Sequence, residues 1–195
     1  KLKAFQEKLA GLTFLDPACG SGNFLTETYI SLRRLENEVV RCLIDSQQGQ
    51  AAGQIAMGFE GEFSPIMVSI QQFYGIEIND FAATVAKTAL WIAESQMMKQ
   101  TEDIVHMNLA FLPLKSYVNI VEGNALRLDW NEIVPKEKLN YIMGNPPFVG
   151  ARMMEQGGEQ KKDVQNIFGN IKDVQDLDYV TCWYKLAADM MANTS

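Results

Sequence analysis

Four short apolar runs, each ending in a turn built from Gly, Pro, Asn or an acid, constrain this 195-residue chain most strongly. Thr13-Phe14-Leu15 runs into Asp16-Pro17. The stretch from Ile66 to Ile78 contains Phe73-Tyr74-Gly75-Ile76-Glu77. Tyr117 to Val121 precedes Glu122-Gly123-Asn124, and Tyr141-Ile142-Met143 precedes Gly144-Asn145-Pro146-Pro147-Phe148. Helical periodicity fills the spaces between them: residues 1–10, Asn23 to about Leu43, and a helix to about Met98 with Asp80 as its N-cap. A last helix is predicted from Asp178 to Met191. Strands alternating with helices imply an α/β fold, a parallel sheet flanked by helices on both faces. Ligands bind such sheets beyond the C-terminal strand ends, where all four polar turns fall.

Two stretches stand outside this alternation. Residues 45–65 are rich in Gln, Gly, Ala and Ser and read as an inserted loop or hairpin; residues 151–175 are polar and Gln-rich and read as a mobile surface loop. The chain lacks an initiator Met, and both ends look cut, so residues 1–195 read as part of one domain from a longer protein.

Composition removes several classes of function. No uninterrupted apolar stretch is long enough for a membrane span, and the amphipathic N-terminus lacks a signal-peptide pattern. Cys19, Cys42 and Cys182 are odd in number and widely spaced, with one His in the chain, which suggests neither disulfides nor a metal site. A reducing, cytoplasmic setting fits. A net charge of -7 argues against unaided nucleic-acid binding, because phosphate contacts need Lys and Arg.

Asp16-Pro17-Ala18-Cys19-Gly20-Ser21-Gly22 joins a strand to a helix. Gly20 and Gly22 allow a tight turn and close ligand approach, and the helix start offers unpaired N–H groups to a carboxylate. Asp16 can accept from an ammonium, so the amino-acid part of S-adenosylmethionine would fit; a tight turn without a ligand satisfies the same pattern. Cys19 reads as a small packed residue. Glu77, at the next strand end, can accept from both ribose hydroxyls, with Ile78 over one face of a nucleoside base. Asn124, before Ala125, offers an amide oxygen to an adenine amino group, or simply a turn.

Asn145-Pro146-Pro147-Phe148 carries the most specific chemistry. An exocyclic amine on a base is a weak nucleophile because its lone pair is delocalised into the ring. The Asn145 side-chain carbonyl and the Pro146 main-chain carbonyl can accept its two N–H groups and favour a pyramidal nitrogen. Two prolines stiffen the loop, so little reorganisation is needed. Phe148 offers a flat face for a flipped-out base.

The segment Asp16–Gly22 together with Asn145–Phe148 resembles class I S-adenosylmethionine-dependent methyltransferases, especially DNA amino-methylating enzymes with a Rossmann-like fold. Phe73-Tyr74-Gly75-Ile76-Glu77-Ile78-Asn79-Asp80-Phe81, Ala89-Leu90-Trp91-Ile92-Ala93-Glu94-Ser95-Gln96 and Glu122-Gly123-Asn124-Ala125-Leu126 are similar to the MmeI-like group of restriction–modification enzymes. The resemblance implies methyl transfer to N6 of adenine in DNA, and a sheet that stops before the family's later strands. In the family the first glycine turn wraps the methionine moiety, which brings Asp16, Pro17, Ala18, Cys19, Gly20 and Gly22 into the cofactor set. Asn124 stands where the family usually has an acid. Most DNA contact is expected through a recognition domain outside this chain; Arg152 and Tyr179 are the nucleic-acid candidates within it. Related Asn-Pro-Pro motifs leave open N4-cytosine, RNA-base or protein-glutamine methylation, and a cofactor-binding fragment inactive on its own.

Overall fold

The computed structural model describes residues 1–48, 65–106, 109, 118–169 and 171–192. The expected insertion therefore lies mostly outside the described residues, as does Tyr117. Four strands are present among them: β1 (Phe14–Asp16), β2 (Phe73–Glu77), β3 (Asn119–Glu122) and β4 (Tyr141–Ile142). They form one parallel sheet in the order β3-β2-β1-β4. The helices are α1 (Leu2–Ala10), α2 (Asn23–Gln48), α3 (Asp80–Val105), α4 (Trp130–Ile133), α5 (Glu159–Phe168) and α6 (Thr181–Met191). None of the described helices is long and apolar enough to cross a membrane.

Side chains alternate across the pleat and build two cores. Phe14 and Phe73 face α1, α2 and α3, packing with Leu25, Tyr29, Leu90 and Met97. Leu15 and Ile76 face the opposite side with Trp130, Val134, Tyr179 and Trp183. The parallel register sets Phe14 beside both Phe73 and Tyr141, and the three rings stack across three strands at centroid distances of 5.1 and 5.2 Å.

Sequence order runs outward from β1 through β2 to β3, then returns to the other side of β1 for β4. That reversal opens a crevice between the loops leaving β1 and β4, the usual ligand position in such sheets. It juxtaposes the glycine turn and the Asn-Pro-Pro-Phe segment, which are more than a hundred residues apart in sequence.

Several boundaries differ from expectation, each for a local reason. The second strand begins only at Phe73, because Ser69 and Gln72 form a reciprocal capping box around a 3-10 turn over Ile70–Gln72. The N-cap of α3 is Asn79, whose side chain accepts the Ala82 N–H; Asp80 is the first helical residue. α3 continues to Val105, past the expected end near Met98, since Thr101 is buried and hydrogen-bonded against α2. α6 starts at Thr181 because the Asp178 carboxylate instead accepts the Ala151 N–H at 2.7 Å. The stretch 151–175, expected as a surface loop, carries α5. Its polar sequence hides an apolar side made by Val164, Ile167 and Phe168, which pack into the second core.

A buried polar cluster ties the first three helices together. Arg33 and Glu36 form a buried ion pair at 2.5 Å, and Arg33 also donates to Thr101 Oγ1 at 2.8 Å. Glu36 Oε1 accepts from Gln6 Nε2 and from the N–H groups of Met67 and Val68, which anchors the segment leading into β2.

Candidate active site

A cavity of about 600 Å³ opens at the C-terminal edge of the sheet, within the range for small-molecule sites. Pro17 and Ala18 enter its wall from the glycine turn, Glu77 and Ile78 from the end of β2, and Asn124 and Ala125 from the turn after β3. Asn145 and Pro147 reach it from the loop after β4. One cavity thus gathers residues from all four strand ends. Asp16, Cys19, Gly20, Gly22, Pro146, Phe148 and Arg152 do not line it. Phe148 is 69% exposed and Arg152 is also exposed.

The glycine turn is fixed by β2. Cys19 N–H donates to the Ile76 carbonyl at 3.0 Å, and Gly20 N–H donates to Glu77 Oε2 at 2.8 Å. Glu77 Oε1 accepts the Asn79 N–H at 2.9 Å, so this carboxylate braces two turns while lining the cavity. Each of its oxygens retains a further lone pair for a ligand hydroxyl. Gly22 has φ +81°, and a Cβ there would lie 2.9 Å from that of Ala86. Glycine is therefore required both for the turn and for the approach of α2 to α3. The Cys19 side chain is buried beneath the turn, beside Gly75, and burial pushes its thiol up to about 12.

Asp16 is fully buried at the end of β1. Its Oδ1 accepts the Ala18 N–H at 3.0 Å, whereas Oδ2 is buried with no hydrogen-bond partner. Burial raises its pKa to about 6, opposed by the Ala18 hydrogen bond and reinforced by the Glu77 charge. An orphaned buried carboxylate oxygen suits a cationic donor such as a ligand ammonium. An amino-acid group therefore fits beside Pro17 and Ala18, the wall residues adjoining Asp16, and a ribose and base fit along Glu77, Ile78 and Asn124.

Asn124 Oδ1 accepts the Leu126 N–H at 2.9 Å, so the residue caps its own turn as well as lining the cavity. Trp130 donates its indole N–H to the Ala125 carbonyl at 2.8 Å and holds that turn in place. Tyr179, also on the wall, is buried; its hydroxyl donates to Asp163 at 2.9 Å. Arg127, Glu159, Gln160, Asp163 and Trp183 are further wall residues that sequence reasoning missed. Their partners lie far apart in sequence, and α5 carried no recognisable motif.

The family described as MmeI, DNA-methyltransferase domain, matches the chain over residues 1–195. The chain belongs to this family. The MmeI-type domain is 38% identical to DNA methyltransferase A of Bacillus subtilis (strain 168), covering all of this chain and 21% of that protein. A putative type II restriction enzyme and methyltransferase of Methanocaldococcus jannaschii is 27% identical over 74% of this chain and 11% of its own length. Among solved structures, the type IIL restriction–modification enzyme MmeI in complex with DNA superposes with a TM-score of 0.81. It has 43% identity and covers 97% of this chain and 24% of that one. The MmeI-type domain thus spans about a fifth or less of the curated relatives it matches. The four-stranded parallel sheet described above is the α/β architecture of that neighbour.

Proposed function

We propose that this domain transfers a methyl group from S-adenosylmethionine to N6 of an adenine flipped out of DNA, within a larger restriction–modification enzyme. The observation that carries the reading is the shared cavity: Asn145 and Pro147 stand on the same wall as Pro17, Glu77 and Asn124. When bound, S-adenosylmethionine supplies an electrophilic methyl group on a sulfonium centre.

The chain's own residues then have separable tasks. Asp16 takes the ligand ammonium on its unpartnered Oδ2. Glu77 accepts from the ribose hydroxyls, Ile78 covers one face of the cofactor base, and Asn124 and Ala125 border its edge. The Asn145 side chain and the Pro146 carbonyl accept the two N–H groups of the target amine, which keeps the lone pair on nitrogen. Phe148, exposed outside the cavity wall, offers its ring to a base arriving from the duplex. Catalysis is then positioning and electrostatics, with Cys19 packed as structure. The acidic balance of the domain leaves most phosphate contact to a recognition domain elsewhere in the parent protein, with Arg152 as a local contribution.

Transfer of tritiated methyl groups by the full-length protein to defined DNA, RNA and protein substrates tests this. Label in adenine of duplex DNA supports it; label only in cytosine, RNA or protein overturns the assigned acceptor. Asn145→Ala should lower transfer by roughly 10²–10³-fold, the scale for losing one preorganised partner, while the affinity for S-adenosylmethionine stays near that of the parent.

A further inference from the structure

The cavity wall contains a connected set of side chains that ties the glycine turn to the turn after β3. Arg127, three residues beyond Asn124, donates from Nε to Asp163 Oδ1 at 2.9 Å and from Nη2 to Glu159 Oε2 at 2.6 Å. Asp163 is 3% exposed, and its second oxygen accepts the Tyr179 hydroxyl at 2.9 Å. The Tyr179 ring meets Trp183 edge to face with centroids 5.2 Å apart, and the Trp183 indole N–H donates to the Pro17 carbonyl at 3.2 Å. All six of these residues line the cavity.

Asp163 is the junction. It is the one buried carboxylate in the chain of contacts, and its oxygens hold different parts of the chain: Oδ1 the turn after β3, Oδ2 the segment leading into α6. Without it, Arg127 keeps only the exposed Glu159, and the Tyr179 hydroxyl loses its acceptor in a buried setting. A second consequence concerns Tyr179 itself. Its hydroxyl proton is committed to Asp163, and burial, followed by that hydrogen bond, raises its pKa. Tyr179 therefore serves as a fixed wall rather than as an acid or base.

We propose that Asp163 is a positioning residue for the cofactor, holding α5 and Tyr179 in the wall of the cavity that Glu77 and Ile78 also line, where the nucleoside is assigned. This rests on the S-adenosylmethionine reading given above. Both Asp163 oxygens are engaged by Arg127 and Tyr179, so its loss acts on cofactor binding through the wall and leaves the methyl-transfer step itself in place.

The test is calorimetric binding of S-adenosylmethionine, S-adenosylhomocysteine and adenosine to the full-length protein, with steady-state methyl transfer alongside. Asp163→Ala should raise the Kd for all three ligands by about tenfold or more, the scale of a hydrogen bond to a charged group. KM for S-adenosylmethionine should rise in parallel, with kcat at saturation nearly unchanged. Tyr179→Phe keeps the ring and the fold and removes only the donor; it should move the same constants in the same direction by a smaller factor. An unchanged Kd in Tyr179→Phe and Asp163→Ala overturns the proposal, as does a fall in kcat with KM unaltered. If Asp163→Ala does not fold, Tyr179→Phe and Arg127→Gln decide by the same criteria. Failure of the parent protein to bind S-adenosylmethionine would instead remove the underlying functional reading.

Discussion

The carboxylate of Asp16 fills the space that a side chain on Gly144 would need. A Cβ on Gly144, which has φ +146°, would lie 2.3 Å from Asp16 Oδ1. The acid at the end of β1 and the residue preceding Asn145 are thus in direct steric register. Gly144→Ala should displace one or both, destabilising the fold by roughly 2–4 kcal/mol through overpacking and backbone strain. Methyl transfer should fall more than S-adenosylmethionine binding, because Asn145 moves with the loop. Denaturant titration and methyl-transfer kinetics on the same variant measure both effects; wild-type behaviour would mean that the loop is not held against Asp16.

Asp16 also makes a pH signature. Its folded pKa of about 6 lies above the ordinary value of 3.8. Between these two values the native state keeps a proton that the unfolded chain gives up. This group's contribution is therefore most favourable below about pH 4 and declines as pH rises towards 6, by about 3 kcal/mol in all. Asp16→Asn should remove that slope in urea titrations across pH 4–7. S-adenosylmethionine affinity should behave oppositely, rising with pH through the same window and levelling above pH 6, since the ionised carboxylate is the form that receives the ammonium.

Phe148 is expected to matter for DNA and not for folding. Its ring is 69% exposed, so Phe148→Ala should alter unfolding free energy by no more than about 0.5 kcal/mol. The loss of a stacking surface should lower kcat/KM for DNA by roughly tenfold to a hundredfold. Thermal melting and kinetics at limiting DNA separate the two outcomes.

The pair formed by Arg33 and Glu36 should be among the most sensitive positions in the fold. Removing Glu36 leaves a buried guanidinium uncompensated and releases the N–H groups of Met67 and Val68. Glu36→Ala is expected to cost about 3–5 kcal/mol in urea unfolding.

Cysteine labelling offers a simple check on packing. Cys42 is exposed, whereas Cys19 and Cys182 are buried and burial raises their thiols to about 12 and about 11. Iodoacetamide at neutral pH should modify Cys42 within this domain and reach the other two only after unfolding.

Local chemistry explains which parts of this architecture were legible in the sequence. Strand ends declared themselves because each apolar run stops at residues suited to a turn, and the cavity draws on all four of those ends. Asn79 and Asp80 are adjacent residues of similar capping ability, so geometry alone decided between them. α5 was obscured because Gln, Lys and Glu dominate its composition, while its anchoring comes from Arg127, 36 residues away from Asp163. Arg33 and Glu36 look like an ordinary exposed pair on a helix; only the packing of α3, which brings Thr101 against Arg33, reveals them as interior. Contacts that depend on long-range packing have no local signature to read.

The return of β4 to the far side of β1 divides the labour of the domain spatially. Residues assigned to contact the donor hang from β1, β2 and β3, those assigned to the acceptor sit in the loop directly after β4, and Asp163 and Tyr179 further along brace the donor's side. An engineer seeking a different nucleobase could therefore confine substitutions to the short loop directly after β4, leaving the donor contacts and their brace on α5 untouched, and judge success by whether donor affinity survives while acceptor preference shifts.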